Sequence, residues 1–178
     1  MAALLRPLSD RDSDLLFNWI NDRELVVLNA PFRPIPAAEH ASWFTGIGNR
    51  DDVKIFAIAE PSAGRTIGYC QLRKIDRNAG DAELQIRIGD RTMHGKGLGT
   101  AAVRELLRFA FDDLRLQRIR LQVFQDNVRA YRSYLKCGFK EEGILRAAVQ
   151  VEGVFKDIVE MSILNRDFSS PAAKSGGG

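Results

Sequence analysis

The sequence predicts an α+β fold: a single domain with one mixed, mostly antiparallel central sheet flanked by helices. Three observations carry this expectation. Residues 53–90 hold three strand-like segments joined by short turns, the pattern of an antiparallel meander. Val103, Leu106, Leu107, Ala110, Phe111 and Leu114 then recur at helical spacing, with Arg104, Glu105, Arg108, Asp112 and Asp113 on the other face. An alternating segment, a short helix and two more strands complete the order β, helices, βββ, α, β, α, ββ.

Each element has a local reason. "ALLRPL" (Ala3 to Leu8) predicts a short first strand. "SDRDSDLLFNWIND" opens with capping residues and sets Leu15, Leu16, Trp19 and Ile20 on one helical face. "NAPFRPIP" (Asn29 to Pro36) is broken by prolines and reads as a loop, and "AAEHASWFTGI" as a second helix. "VKIFAIAE", "RTIGYCQLRKID" and "DAELQIRIGD" are the meander strands; the last alternates Leu84, Ile86 and Ile88 with Glu83, Gln85 and Arg87. "RIRLQVF" (Arg118 to Phe124) alternates as a strand. "DNVRAYRSYLKCG" starts on a cap and ends on glycine, as a short helix does. "VQVEGVFKDIVEMSIL" reads as two strands about a turn near Glu152 and Gly153. The domain is expected over 1–168. The small, polar residues of 169–178 are expected to form a disordered tail.

Composition narrows the function. The 178 residues are 45% hydrophobic and 28% charged, within the ordinary globular range. No apolar run approaches the roughly 20 residues of a membrane span. The N-terminus turns polar too early for a signal peptide, so a cytoplasmic protein without membrane contact is expected. A net charge of +3, spread among acids, argues against a nucleic-acid partner and suits a local anionic ligand. Cys70 and Cys137 stand apart and read as reduced thiols. His40 and His94 have no ligand cluster, so no metal is expected.

"HGKGLGT", His94 to Thr100, is the densest signal. It sets three glycines directly ahead of the amphipathic helix. Glycines admit unusual backbone angles and leave no Cβ in the way, while the helix start offers free N–H groups and a positive dipole end. Such a place suits a pyrophosphate. A bare strand-to-helix turn would need one glycine rather than three. A P-loop would need Ser or Thr after Lys96, where Gly97 stands. Gly97, Gly99 and Ala102 match a dinucleotide fingerprint, with Asp126 ending the next strand. Yet the preceding strand is half polar, and too little chain follows for further βαβ units.

Read with "NVRAYRSYLKCGF" (Asn127 to Phe139), the loop resembles the GNAT superfamily of acetyl-CoA-dependent N-acetyltransferases. That family's loop, Q/R-x-x-G-x-G/A, is matched by "HGKGLG" with histidine in first place. Its later segment, N-x-x-A-x-x-x-Y-x-K-x-G-F, is matched by Asn127, Ala130, Tyr134, Lys136, Gly138 and Phe139. The likeness covers about Leu4 to Leu164 in element order, and "GVFKDIVEMSIL" is similar to the RimJ/RimL-type branch.

The resemblance implies a site. The pyrophosphate of acetyl-CoA would lie on the backbone of His94, Gly95, Lys96, Gly97, Leu98, Gly99 and Thr100. The histidine removes a long donor, leaving a loop residue facing water as the alternative. The pantetheine arm would lie between two parallel strands that splay apart, Glu83–Ile88 and Arg118–Phe124, on main-chain groups of Ile86, Arg87 and Ile88. Asn127 would contact the arm, or else simply start its helix. Tyr134 matches the family's general acid, protonating the departing thiolate, with Tyr131 as a decoy three residues earlier. Glu83 would take the amine's proton, directly or through water, with Asp81 as a lesser substitute.

The acceptor pocket implied by the family would be walled by Trp19, Phe32, Trp43 and Phe155, each of which could equally be core. A nucleotide-linked amino sugar leads as acceptor, ahead of a protein N-terminal amine and other small amines. The alternative of another class is an acetyl-CoA sensor without turnover. Strand edges and the terminal hairpin are compatible with a homodimer.

Overall fold

The computed structural model describes residues 4–168; the expected tail at 169–178 lies outside them. β1 (Leu4–Pro7) leads into a 3-10 turn at Asp10–Asp12, then α1 (Ser13–Ile20), α2 (Arg23–Val26) and α3 (Ala37–Gly46). β2 (Val53–Ala59), β3 (Thr66–Asp76) and β4 (Asp81–Ile88) form the meander. α4 (Leu98–Arg108) runs on through a π turn at Phe109–Asp113. β5 (Arg118–Phe124), α5 (Val128–Lys136), β6 (Lys140–Val151) and β7 (Val154–Leu164) follow. The sheet order is β1-β2-β3-β4-β5-β7-β6, and β4–β5 is the parallel pair.

Two boundaries depart from the sequence pattern. The helix expected from Ser9 to Asp22 is a 3-10 turn followed by the shorter α1, and α2 opens beyond it, with an acidic residue at each of the two outer starts. The Asp12 carboxylate accepts from Ser9 N at 2.8 Å, and Asp22 Oδ1 accepts from Leu25 N at 3.2 Å to open α2. β6 begins nine residues before the expected Val149, at Lys140. It is the sheet's edge and lies mostly exposed, so no one-sided burial imposes a period of two on "KEEGILRAAV". A register shift between Leu145 and Val149 also breaks its alternation.

The core lies between the sheet and α4. Ala102, Val103, Leu106, Leu107, Ala110 and Phe111 are buried against Leu72, Leu84, Ile119 and Leu121. Leu106 and Leu107 are fully enclosed, and truncating either to alanine would cost roughly 2–5 kcal/mol. That packing holds the start of α4 against the middle of the sheet.

The parallel pair is short. It is registered only at Asp81↔Arg118, Ala82↔Ile119 and Glu83↔Arg120. Beyond Glu83 and Arg120 the two strands continue without pairing, to Ile88 and Phe124. The opening places main-chain groups of both strands along a gap in the centre of the sheet.

Candidate active site

The glycine loop is built to face a ligand. Asp90 caps the 3-10 turn Arg91–Met93 by accepting from Thr92 N at 2.9 Å. Gly95 (φ 78°) and Gly97 (φ 77°) then take left-handed backbone that disfavours a side chain. A Cβ at either would meet nothing, so conformation rather than crowding requires glycine there. Gly97 is the N-cap of α4 and brings no side-chain cap. The first helical bond runs from Ala101 N to Gly97 O at 3.0 Å, which leaves the amides of Leu98, Gly99 and Thr100 at the helix start for an anion.

His94 is not a free loop residue. Its Nε2 donates to the carbonyl of Ile88 at 2.8 Å, tying the loop to the end of β4. Lys96 is exposed, and the Thr100 and Ser133 hydroxyls meet at 2.7 Å.

A cleft of about 730 Å³ opens between this loop and the splayed strands. Leu84, Ile86, Val103, Val123 and Tyr134 on the α4 side and Gln85, Arg87 and Gln122 on the opposite face all border it, so the cleft lies where the two strands part. Its lining includes Arg87, Arg129, Arg132 and Lys136 and no Asp or Glu. An open helix start, missing Cβ atoms and uncompensated cations together fit the diphosphate of CoA. Arg129, Arg132 and Gln122 are not singled out by the sequence; the i, i+3, i+7 spacing of Arg129, Arg132 and Lys136 is the signal that places the three cations on one helix face.

Tyr134 lines the cleft with its ring edge-on to Phe139 at 5.8 Å. Burial pushes its phenol well above the ordinary tyrosine range, so it stays protonated and able to donate. Tyr131 instead sends its hydroxyl to Glu141 at 3.1 Å, outside the cleft. Asn127 caps α5 by accepting from Ala130 N at 3.3 Å and donates to Leu28 O at 3.0 Å, fastening the segment after α2 to the cleft.

Glu83 is 6% exposed and ends the paired part of β4. Arg73 Nε reaches its Oε1 at 2.8 Å, while Lys74 and Arg120 reach Oε2 at 3.3 and 3.2 Å. Burial works against its charge, but the Arg73 and Lys74 contacts outweigh burial and hold the carboxyl below its ordinary range. Asp81 is likewise paired, with Arg118 and Arg120.

The four aromatic side chains expected around the acceptor are spread out. Trp19 lies on Gly89, where a Cβ would fall 2.0 Å from the indole. Trp43 packs with buried His40 and with Phe44 at centroid distances of 5.7 and 6.2 Å. Phe32 is half-buried in its loop, and Phe155 is 64% exposed on β7. None of the four lines the cleft or the second cavity, of about 750 Å³, beside it. That cavity shares Leu25, Leu28, His94, Asn127, Val128 and Arg129 with the cleft. Around it, Arg91 pairs with Asp22 and Glu24, Lys156 with Asp126, and Arg23 with Glu152.

Among the described residues there is no cluster of three or more His, Cys, Asp or Glu able to hold a metal, and no helix is long and apolar enough to cross a membrane. Cys70 and Cys137 are both buried and free, as expected.

Comparison with known proteins gives the same picture. The chain is 36% identical over 118 residues to the probable N-acetyltransferase YjcK of Bacillus subtilis, covering 66% of this chain and 65% of that one. It is 27% identical over 168 residues to the uncharacterized N-acetyltransferase p20 of Bacillus licheniformis, covering 93% and 94%. Among solved structures, spermidine N-acetyltransferase from Vibrio cholerae, in complex with CoA and spermine, superposes with a TM-score of 0.84 at 26% identity. The superposition covers 93% of this chain and 96% of that one. The acetyltransferase (GNAT) domain matches residues 3–140, and the chain belongs to that family.

Proposed function

We propose that the chain is an acetyl-CoA-dependent N-acetyltransferase whose acceptor is a weakly basic primary amine, with a nucleotide-linked amino sugar first. Acetyl-CoA supplies the thioester. The amides at the start of α4 hold its diphosphate, the β4 main chain at Ile86, Arg87 and Ile88 orients its arm, and Asn127 steadies the wall beside it. Tyr134 donates a proton at the sulfur, and Glu83 receives the amine's proton through water.

The ion-paired state of Glu83 carries the choice of acceptor. A carboxylate held by three cations is a poor base. An alkyl amine with a pKa of about 10.4 would demand more of it than an α-amine at about 7.7–8.0. A sugar amine, weakened by its neighbouring oxygens, belongs with the latter. The carboxylates around the second cavity are already paired, which disfavours a polyamine. Arg91 and Lys156 are the partners of those carboxylates, whereas Arg129 on the same wall is in no ion pair among the described residues and suits a nucleotide's phosphate.

A second reading, a peptide N-terminal amine, is favoured by the exposed apolar residues Leu28, Val128 and Val154 on the same cavity. It accords with the likeness of the final hairpin to the RimJ/RimL-type branch. The exposed edge β6, with Ile144 and Leu145 partly bare, supports a homodimer.

A thiol-release assay tests the assignment with a nucleotide-linked amino sugar, a peptide bearing a free N-terminus, and spermidine. The amino sugar should give the highest kcat/KM and spermidine the lowest. Spermidine as the best substrate would overturn the acceptor class. CoA binding without release on any amine would point to a sensor instead.

A further inference from the structure

Gln122 lies on β5 two residues beyond Arg120, the last residue paired with β4. It therefore shares a face with Glu83 and Arg120, and it lines the cleft. Across the β5–β7 register it stands opposite Glu160, and its Nε2 donates to Glu160 Oε1 at 2.9 Å. An ionised carboxylate only accepts hydrogen bonds. The amide is thus held one way round, nitrogen toward Glu160 and carbonyl oxygen away from it.

Glu160 differs from its neighbours on this face. Asp81, Glu83 and Glu142 each pair with an arginine. Glu160 has no cationic partner among the described residues, and none of those residues donates to Gln122 Oε1. With its nitrogen on Glu160, the exposed Gln122 keeps its carbonyl oxygen for a further partner at the cleft wall.

We propose that Gln122 receives the attacking amine, its carbonyl oxygen accepting one N–H so that the nitrogen lone pair points at the thioester carbonyl. Glu160 is a positioning residue that acts through Gln122. The assignment rests on the acetyl-transfer reading above. The new carbon–nitrogen bond forms as the carbon–sulfur bond breaks. The nitrogen sheds one proton, through water to Glu83, and the sulfur gains one from Tyr134. A primary amine has two hydrogens, one to lose and one to give Gln122. A secondary amine has only the one it loses, so this contact selects primary amines.

The test uses the full chain and the best amine of the panel above, together with its N-methyl counterpart. Gln122→Leu should lower kcat/KM for the primary amine about tenfold while the KM for acetyl-CoA stays within about twofold. The wild-type preference for the primary over the N-methyl amine should shrink with it. Glu160→Gln, which lets the amide turn over, should give a smaller loss of the same kind, and Gln122→Asn a partial recovery. A calorimetric titration of Gln122→Leu with CoA establishes that the variant is folded. Unchanged acceptor kinetics in Gln122→Leu, or a loss shared equally by both substrates, would overturn the assignment. If the wild type releases CoA with no amine, the acetyl-transfer reading falls and takes Gln122 with it. If the wild type is active and the variant matches it, Gln122 alone is wrongly assigned.

Discussion

His94 Nε2 donates to the carbonyl oxygen of Ile88 at 2.8 Å, so the glycine loop is buckled to the last residue of β4. The bond fixes the loop against the strand on which the pantetheine arm is proposed to lie. His94→Ala should lose the roughly 0.5–1.5 kcal/mol of a net hydrogen bond and raise the KM for acetyl-CoA several-fold. His94→Gln, which keeps a donor, should recover part of both. Thermal unfolding and initial rates check this.

Tyr134 is held protonated in the cleft wall. Tyr134→Phe keeps the ring and its packing on Phe139 but removes the proton. Turnover should fall by about 10²–10⁴-fold, the usual reach of general acid catalysis. CoA affinity by calorimetry should remain near the wild-type value. Unchanged turnover would remove Tyr134 from the chemistry.

Gly97→Ala puts a Cβ into open space but onto a left-handed backbone at φ 77°. The expected penalty is about 1–2 kcal/mol of stability, with weaker CoA binding as the loop relaxes. Gly97→Asn should be milder in both, because asparagine tolerates that region. Denaturant midpoints and CoA titration separate the two effects.

Asp12 and Glu83 make acid the weak side of this fold. Burial alone would raise the Asp12 carboxyl. Hydrogen bonds from Arg6, Ser9 and Thr66 outweigh burial and hold it well below the ordinary range. Glu83 is lowered in the same sense by Arg73 and Lys74, against its burial. A lowered folded pKa means stability present above the unfolded value, about 4, and lost as pH falls through the folded value. Urea midpoints should therefore hold steady from about pH 7 to 5 with respect to these groups and fall below about pH 4. Asp12→Asn should flatten that fall and lower stability at neutral pH, since it leaves Arg6 without its partner.

The elements with strong periodicity are legible in the amino-acid sequence. α4 and β5 bury one clean face each, and that burial writes a pattern into the chain. β6 left no such trace, because an edge strand open on both faces need not alternate. The glycine loop stands out by its own spacing, whereas Tyr134 stands out only through the family resemblance. Other parts of the site depend on residues far apart in sequence. The cations on Glu83 come from β3 and β5, and the directionality of Gln122 comes from Glu160 on β7. Trp19 shows the same limit from the other side. A large aromatic near a proposed pocket is ambiguous in sequence, and here its place follows from the bare backbone of Gly89, on which it lies.

Residues from both faces of β4 and β5 border the cleft between them, and that shapes the order of events under the proposed reading. In that reading the donor lies along the glycine loop and β4 while the acceptor comes from the opposite face, so neither need leave before the other arrives. Both thiols are buried and neither lines the cleft, so no cysteine is placed there to carry the acetyl group between half-reactions. Double-reciprocal plots should then converge rather than run parallel, the signature of a reaction completed while both partners are held at once.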